Sequence, residues 1–281
     1  MAGSRTWRRG PRQVPLFDCL THPTLTGAWP GRDDPGCADI GRLVREMDAA
    51  GVRWAFAVGL KGMGGYDEKR YSTLTAPWEG RLFPIAYLGF DKVKNLSAAK
   101  RSLTSIKASG YAGVKIHPRI AGITLRHPLL PDVMNAAWDL GLVVMMCTYF
   151  YSPRKDAAEN GPETLAALLH ETRDSRVILL HAGGVRLLET IELARAYRNV
   201  LLDLSFTLCK YEGSSLDLDL AYAFRHFDRR ICVGSDHPEF SPRALRERFE
   251  LLSQGLDLEK KENIAYRNLF DFTGMENREA R

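Results

Sequence analysis

Five polar side chains stand at or just beyond the ends of short apolar segments, where they could bind a metal or move protons. They are His22, His117, Cys147, His181 and Asp236. Imidazole, thiolate and carboxylate are the groups that zinc prefers in proteins. The pair of Cys147 and His181 could also serve as a nucleophile and its base. These residue types therefore leave two kinds of site open, a divalent metal centre and a cysteine–histidine centre.

Eight apolar segments have the length and composition of strands that are covered on both faces. They cover residues 16–19, 52–60, 82–90, 112–117, 142–149, 177–181, 200–205 and 231–235. Helical spacing follows most of them, as in 95–108, 133–140, 162–172, 186–197, 216–227, 242–253 and 259–272. This alternation predicts an α/β fold, a single (β/α)₈ barrel. An open doubly wound sheet is the rival, but no glycine-rich phosphate turn follows the first segment.

A barrel would bring all five polar side chains to one mouth, because catalytic groups of this fold lie at the carboxyl ends of the strands. Period-two alternation pairs Lys115 with His117, Cys147 with Met145, and His181 with Leu179 on inward faces. The fifth and sixth strands are neighbours, so we expect Cys147 close to His181. The eighth strand should bring Asp236 beside His22.

Four segments carry a resemblance to a known family. They are Gly-Val-Lys-Ile-His-Pro ending at Pro118, Leu-Leu-His-Ala-Gly-Gly ending at Gly184, Asn-Val-Leu-Leu-Asp-Leu-Ser ending at Ser205, and Gly-Ser-Asp-His-Pro ending at Pro238. From Phe17 to Phe272 the chain resembles the amidohydrolase-related branch of the metal-dependent hydrolases, a superfamily that also contains decarboxylases. The resemblance implies the same barrel and a divalent metal, most simply Zn²⁺.

The resemblance also assigns ligand positions and shows where this chain departs from them. It implies His22 and Asp236 as metal ligands and His181 as the histidine of the sixth strand, with His181 and Cys147 as further candidate ligands. Leu20 stands where the family has its first histidine, and Cys147 where it has another. An alkyl chain cannot bind a metal, so we expect the ion to be weakly bound or absent. Catalytic roles are expected for His181, Asp236 and Cys147.

Polar and aromatic residues near the strand ends are candidates for substrate binding. The predicted set is Lys115, His117, Arg119, Tyr149 and Lys210. Lys115 has a second interpretation, as a buried lysine paired with a carboxylate such as Asp203.

The predicted function is hydrolysis of an amide, ester or lactone bond in a small polar molecule by a metal-activated water. Three alternatives remain open at this point. One is a non-oxidative decarboxylase of the same superfamily. Another is a metal-free hydrolase that uses Cys147 and His181. The last is a catalytically inactive barrel that binds a small molecule or a partner protein.

Composition and charge bear on the cellular compartment, the domain boundaries and the partners of the protein. The chain has 281 residues, a net charge of +5 and five cysteines without a CxxC pair, which favours a reducing cytoplasm over a disulfide framework. We expect a disordered basic tail over residues 1–14, a barrel over 15–275 and a second tail over 276–281. No apolar stretch approaches a membrane span. A small-molecule substrate and possible homo-oligomers are expected, with no nucleic acid and no membrane as partners.

Overall fold

The computed structural model describes residues 13–91, 93–151, 157–172 and 175–275. Residues 1–12 and 276–281, which hold most of the two predicted tails, lie outside the described part. Eight parallel strands form one sheet in chain order. They are β1 (Leu16–Thr21), β2 (Val52–Val58), β3 (Leu82–Tyr87), β4 (Gly113–Ile116), β5 (Val143–Cys147), β6 (Val177–Leu180), β7 (Val200–Asp203) and β8 (Ile231–Cys232). The predicted single (β/α)₈ barrel is confirmed.

Helices cover the outside of the sheet. They are α1 (Ile40–Ala50), α2 (Glu68–Thr75), α3 (Leu96–Ala108), α4 (Pro118–Ala121), α5 (Leu130–Asp139), α6 (Pro162–Glu171), α7 (Leu187–Ala196), α8 (Thr207–Lys210), α9 (Leu216–His226), α10 (Pro242–Leu252), α11 (Leu258–Glu262) and α12 (Asn268–Thr273). The predicted last helix is split, because a π-helical segment, Asn263–Arg267, lies between α11 and α12. Among the described residues, none of these helices has both the length and the hydropathy that crossing a bilayer requires.

The barrel closes between β1 and the chain that follows β8. The strand β8 is only two residues long, yet the contact continues beyond it. The Cys19 amide donates to the Val233 carbonyl at 2.9 Å, and the Asp236 amide donates to the Leu20 carbonyl at 2.9 Å. This seam carries the chain from β8 directly to the place where β1 ends.

Alternation inside the barrel follows the prediction on β5 but not on β6. Met145 belongs to the interior cluster and Met146 to the core between strands and helices, so Cys147 shares the inward face as predicted. On β6 it is Leu180 that faces inward, whereas Leu179 lies in the outer core. The pairing of His181 with Leu179 is therefore wrong. His181 has a φ of 68°, and this left-handed turn re-aims its ring.

The helix α2 was not among the predicted helices. The side chain of Asp67 caps it by accepting from the Arg70 amide at 2.9 Å. Its buried face is narrow, with Tyr71 and Thr75 as the buried residues, so its apolar period is weak.

The first prediction concerns the contact between β4 and β5. A Cβ placed on Gly113 would lie 2.4 Å from the carbonyl oxygen of Val143. Because that oxygen belongs to the backbone, Gly113→Ala should destabilise the protein by about 1–3 kcal/mol, the usual cost of overpacking. Gly36→Ala is the matched control, since the nearest atom to its added Cβ is a side-chain oxygen at 3.9 Å. Urea unfolding of both variants measures the difference, and equal midpoints would contradict the prediction.

Candidate active site

A cavity of about 580 Å³ opens at the carboxyl ends of the strands. Its lining residues are His22, Trp29, Leu60, Met63, Lys115, His117, Arg119, Ile120, Tyr149, His181, Phe206, Asp236 and Glu239. Seven of the predicted site residues are among them. Of the other two, Cys147 is buried and outside the lining set, while Lys210 is exposed on α8 and also outside it.

His22 has one ring nitrogen fixed by the backbone and the other turned to two charged groups. Its Nδ1 lies 2.6 Å from the Val58 carbonyl oxygen, which can only accept, so Nδ1 carries the proton. Its Nε2 lies 3.2 Å from Lys115 Nζ and 3.4 Å from Asp236 Oδ1. Burial and the charge of Lys115 lower the pKa of His22 to about 4. The ring is therefore neutral at pH 7, and Nε2 accepts a hydrogen bond from Lys115.

Lys115 and Asp236 are opposite charges on the floor of this cavity. Burial lowers the pKa of Lys115, while Asp236, Cys147 and Asp203 favour its charged form. Burial alone would raise the pKa of Asp236, but the neighbouring His22 ring and the charges of His181 and Lys115 hold it well below its usual value. Asp236 is thus a carboxylate. The hydrogen bond that the structure gives Lys115 goes to His22 rather than to Asp203.

Cys147 lies beneath the cavity among three basic side chains. Arg119 Nη2 is 3.7 Å from its sulfur, and His117 and His181 both hydrogen-bond to the thiol. Burial alone would raise the pKa of Cys147, but the two histidines lower it well below the ordinary value. Burial lowers the pKa of His181, yet its bond to Cys147 outweighs this and raises it. The pair is a thiolate and an imidazolium.

The orientation of His181 is set from β7. Its Nδ1 lies 3.2 Å from the carbonyl oxygen of Ser205, so Nδ1 donates there and Nε2 remains for Cys147. The hydroxyl of Thr207 also donates to the His181 carbonyl at 2.6 Å. His117 is held differently, because its Nδ1 accepts from the Ile120 amide at 3.4 Å and caps α4.

Aromatic side chains form the walls of the cavity. The Trp29 ring stacks on His22 with centroids 5.4 Å apart, and its Nε1 donates to Glu239 at 2.9 Å. The Arg119 guanidinium lies 5.1 Å from the centre of the Tyr149 ring. Trp29 and Glu239 were missed because they come from loops after β1 and β8. The one available signal was a tryptophan within Gly27-Ala28-Trp29-Pro30.

Backbone strain also marks this end of the barrel. Among the described residues, four that are not glycine have positive φ: His181, Ala182, Phe206 and Asp236, at values from 43° to 68°. All four follow the ends of β6, β7 or β8. Each such conformation costs roughly 1–3 kcal/mol and persists only where the surroundings enforce it. Three of these residues line the cavity.

Comparison with known proteins decides the family. The family model described as amidohydrolase matches residues 17–268. The chain belongs to the amidohydrolase family. No curated protein sequence gives a significant match to this amidohydrolase. Members of the superfamily are mostly enzymes, both hydrolases and decarboxylases, and they usually use a divalent metal.

Solved structures show the same fold as this amidohydrolase at low identity. An uncharacterised TIM-barrel protein from Bordetella bronchiseptica is 17% identical with a TM-score of 0.77, over 93% of this chain and 100% of that one. A probable 2-pyrone-4,6-dicarboxylic acid hydrolase from Acinetobacter baumannii, with citric acid bound, is 16% identical with a TM-score of 0.67, over 92% and 99%. A 5-carboxyvanillate decarboxylase from Novosphingobium aromaticivorans, complexed with manganese and a nitrobenzoic acid, is 11% identical with a TM-score of 0.65, over 93% and 96%.

The residues of this amidohydrolase do not fit a resident divalent ion in the cavity. Leu20 is fully buried in the interior cluster and offers no donor atom. His22 and Asp236 lie close enough to share an ion, but the Lys115 ammonium occupies the position against Nε2 that an ion would take. Within residues 13–91, 93–151, 157–172 and 175–275, no third His, Cys, Asp or Glu donor lies within 4.8 Å of both. The predicted set of His22, Asp236, His181 and Cys147 therefore does not converge on one point.

The second prediction uses the charge state of Cys147. A thiolate reacts with alkylating reagents, whereas a neutral thiol does not. Because the pKa of Cys147 is well below the usual value and burial raises that of Cys209 to about 12, only the labelling rate of Cys209 should depend on pH. Iodoacetamide labelling of Cys147, followed by peptide mass spectrometry, should show one slow rate across pH 6 to 8, because its thiolate fraction does not change over that range. Labelling of Cys209 should rise with pH, and a rising rate at Cys147 would contradict the ion pair.

Proposed function

We propose that this amidohydrolase hydrolyses an ester or lactone bond of a small planar anion, with water activated by side chains and not by a resident metal. The observation that carries the proposal is the group formed by His22, Lys115 and Asp236. It places a carboxylate and an ammonium together on the floor of the cavity, on either side of one neutral imidazole nitrogen. A general base and an oxyanion partner are the two groups that this reaction needs most.

Each proton has an assigned place in the proposed reaction. Asp236 accepts a proton from water as the water oxygen attacks the scissile carbonyl carbon. The Lys115 ammonium stabilises the negative charge that develops on the carbonyl oxygen, in a site where burial strengthens the attraction. The tetrahedral intermediate then collapses, and Asp236 passes the proton that it took from water to the departing oxygen. The Cys147 thiolate keeps His181 protonated, and the charge of His181 helps to keep Asp236 ionised.

The substrate class follows from the lining of the cavity. Arg119 and Lys115 supply positive charge, while Trp29, Tyr149 and Phe206 supply flat apolar surface. A ring that carries a carboxylate satisfies both features, since guanidinium binds carboxylate in a bidentate manner and rings stack on aromatic faces. The Acinetobacter structure is described as the hydrolase of such a dicarboxylic acid with citric acid bound, which supports an anionic substrate.

Cys147 is assigned a supporting role instead of a nucleophilic one. It lies outside the residues that line the cavity, whereas its neighbours His117 and His181 are among them. This arrangement disfavours the metal-free alternative in which Cys147 attacks the carbonyl carbon.

A substrate panel tests the proposal. It contains pyrone carboxylates, aryl esters with a ring carboxylate, matched neutral esters, and hydroxylated benzoates. We expect turnover of anionic esters or lactones, weaker turnover of the neutral esters, and the same rate after dialysis against a chelator or with added manganese. Release of carbon dioxide from the benzoates would show that the reaction is decarboxylation and not hydrolysis. Activity that depends on added metal, or no turnover across the panel, would overturn the proposal.

A further inference from the structure

Three buried donor atoms lie close together inside the barrel. They belong to residues of β1, β7 and β8, before the ends of these strands reach the cavity. They are the sulfur atoms of Cys19 on β1 and Cys232 on β8, and a carboxylate oxygen of Asp203 on β7. All three atoms lie within 4.8 Å of one another, and each residue has 0% exposure. In the described part of the chain this is the one group of three such donors.

Among the described residues, the carboxyl groups of this region accept hydrogen bonds from neutral donors. Asp203 accepts hydrogen bonds from the amide and hydroxyl of Ser205. Asp18, the residue before Cys19, accepts from the amide of Ser235 at 2.8 Å and from its hydroxyl at 2.6 Å. These donors are all neutral, and Lys115 acts on Asp203 only through longer-range attraction. A buried carboxylate without a paired charge is costly, so a cation at this point would stabilise the fold.

We propose that Cys19, Cys232 and Asp203 bind one Zn²⁺ ion, at a site separate from the cavity. Two sulfurs and one carboxylate oxygen suit zinc, with Zn–S bonds of about 2.3 Å and Zn–O bonds of about 2.0–2.2 Å. Side chains that already lie within 4.8 Å of one another need only small rotations to reach those lengths. Each thiol releases its proton to solvent as its sulfur donates an electron pair to the ion.

The ion would connect the two sides of the barrel seam. It would also be linked to the cavity through Ser205, which hydrogen-bonds to both Asp203 and His181. Cys19 lies on one side of the closure and Cys232 on the other. The hydroxyl of Ser205 donates to Asp203, and the Ser205 carbonyl accepts from His181 Nδ1 at 3.2 Å. Bound zinc therefore stabilises the closed barrel and holds the Asp203–Ser205–His181 chain in place, as outer-shell partners do at other metal sites.

The test measures metal in the full chain produced in zinc-supplemented medium. We expect about one equivalent of zinc, held by these three protein donors. Cys19→Ser and Cys232→Ser should lose it, while Cys209→Ser, which alters a buried cysteine outside the group, should keep it. Protein produced in medium with cobalt in place of zinc should show the near-ultraviolet absorption of thiolate–Co²⁺ bonds. That absorption should survive in Cys147→Ser, which removes the thiol nearest the cavity.

The outcomes separate this site from the proposed hydrolase site. Zinc that is retained in Cys19→Ser, or that is lost in His22→Ala, overturns the proposal, as does wild-type chain without bound metal. If the Cys19 and Cys232 variants do not fold, the cobalt absorption of Cys147→Ser tests the proposal by itself. Its presence supports the site, and its loss overturns it. The hydrolase proposal fails by a different measurement, which is turnover across the substrate panel.

Discussion

Replacing Asp236 by Asn should lower kcat/KM for the best anionic ester or lactone by about 10³-fold, the usual contribution of a general base. The amide keeps the shape of the carboxylate but cannot accept the proton of the attacking water. Because substrate binding depends on Arg119 and the aromatic walls, KM should change little. Steady-state kinetics with the substrate identified by the panel measures both quantities.

Two controls accompany the Asp236 variant. Loss of the Asp236 charge removes one of the negative groups that favour the charged form of the buried Lys115, which should destabilise the fold. Near-ultraviolet circular dichroism must therefore show native packing before the kinetics are compared. Glu239→Gln lines the same cavity without touching His22 and should lose less than about tenfold, well short of a general base. Activity of Asp236→Asn within tenfold of wild type would remove Asp236 from its role.

Removing the Lys115 side chain should have two opposite effects, a loss of activity and a gain of metal binding. Lys115→Ala should lower kcat by about 10²–10³-fold, as for other groups that stabilise an oxyanion. The same change empties the place beside His22 Nε2, which lies 3.4 Å from Asp236 Oδ1, and leaves two donors facing a vacant position. We expect the variant to bind added zinc at this point weakly, because it offers two protein donors, whereas wild type does not bind it there, as measured by calorimetry.

The double variant His22→Ala with Lys115→Ala should lose the added zinc site, because one of its two protein donors is gone. Lys210→Ala is the matched control, since Lys210 is an exposed lysine of α8 outside the cavity lining. It should keep its activity and gain no metal. Equal zinc binding by wild type and Lys115→Ala would show that the ammonium does not occupy an ion position.

The sequence was sufficient to predict the residues that stand at the ends of strands. His22, His181 and Asp236 could be placed around one mouth because parallel strands deliver their carboxyl ends to the same side. The contact between Lys115 and His22 was out of reach, since it depends on how far a long side chain extends across the barrel. The rotation of His181 was also hidden, because nothing in its residue type signals a positive φ.

Loops account for most of what was missed. Trp29 and Glu239 meet across the cavity although their loops follow different strands, and no local pattern relates them. The helix α2 was also missed because its local sequence pattern is weak. A cap at Asp67 was present, but a helix with so narrow a buried face has little periodicity to detect.

The seam between β1 and β8 determines at which stage of folding His22 and Asp236 come together. Ser235 donates to Asp18 across 217 residues of sequence, so this contact closes almost the longest loop that the chain can form. Long-range pairings form late, because their entropy cost is met before they contribute stabilisation. His22 and Asp236 therefore remain apart in every partly folded form whose last strand has not reached β1. During refolding, recovery of activity should follow the slowest phase of barrel closure and lag behind the recovery of helical structure.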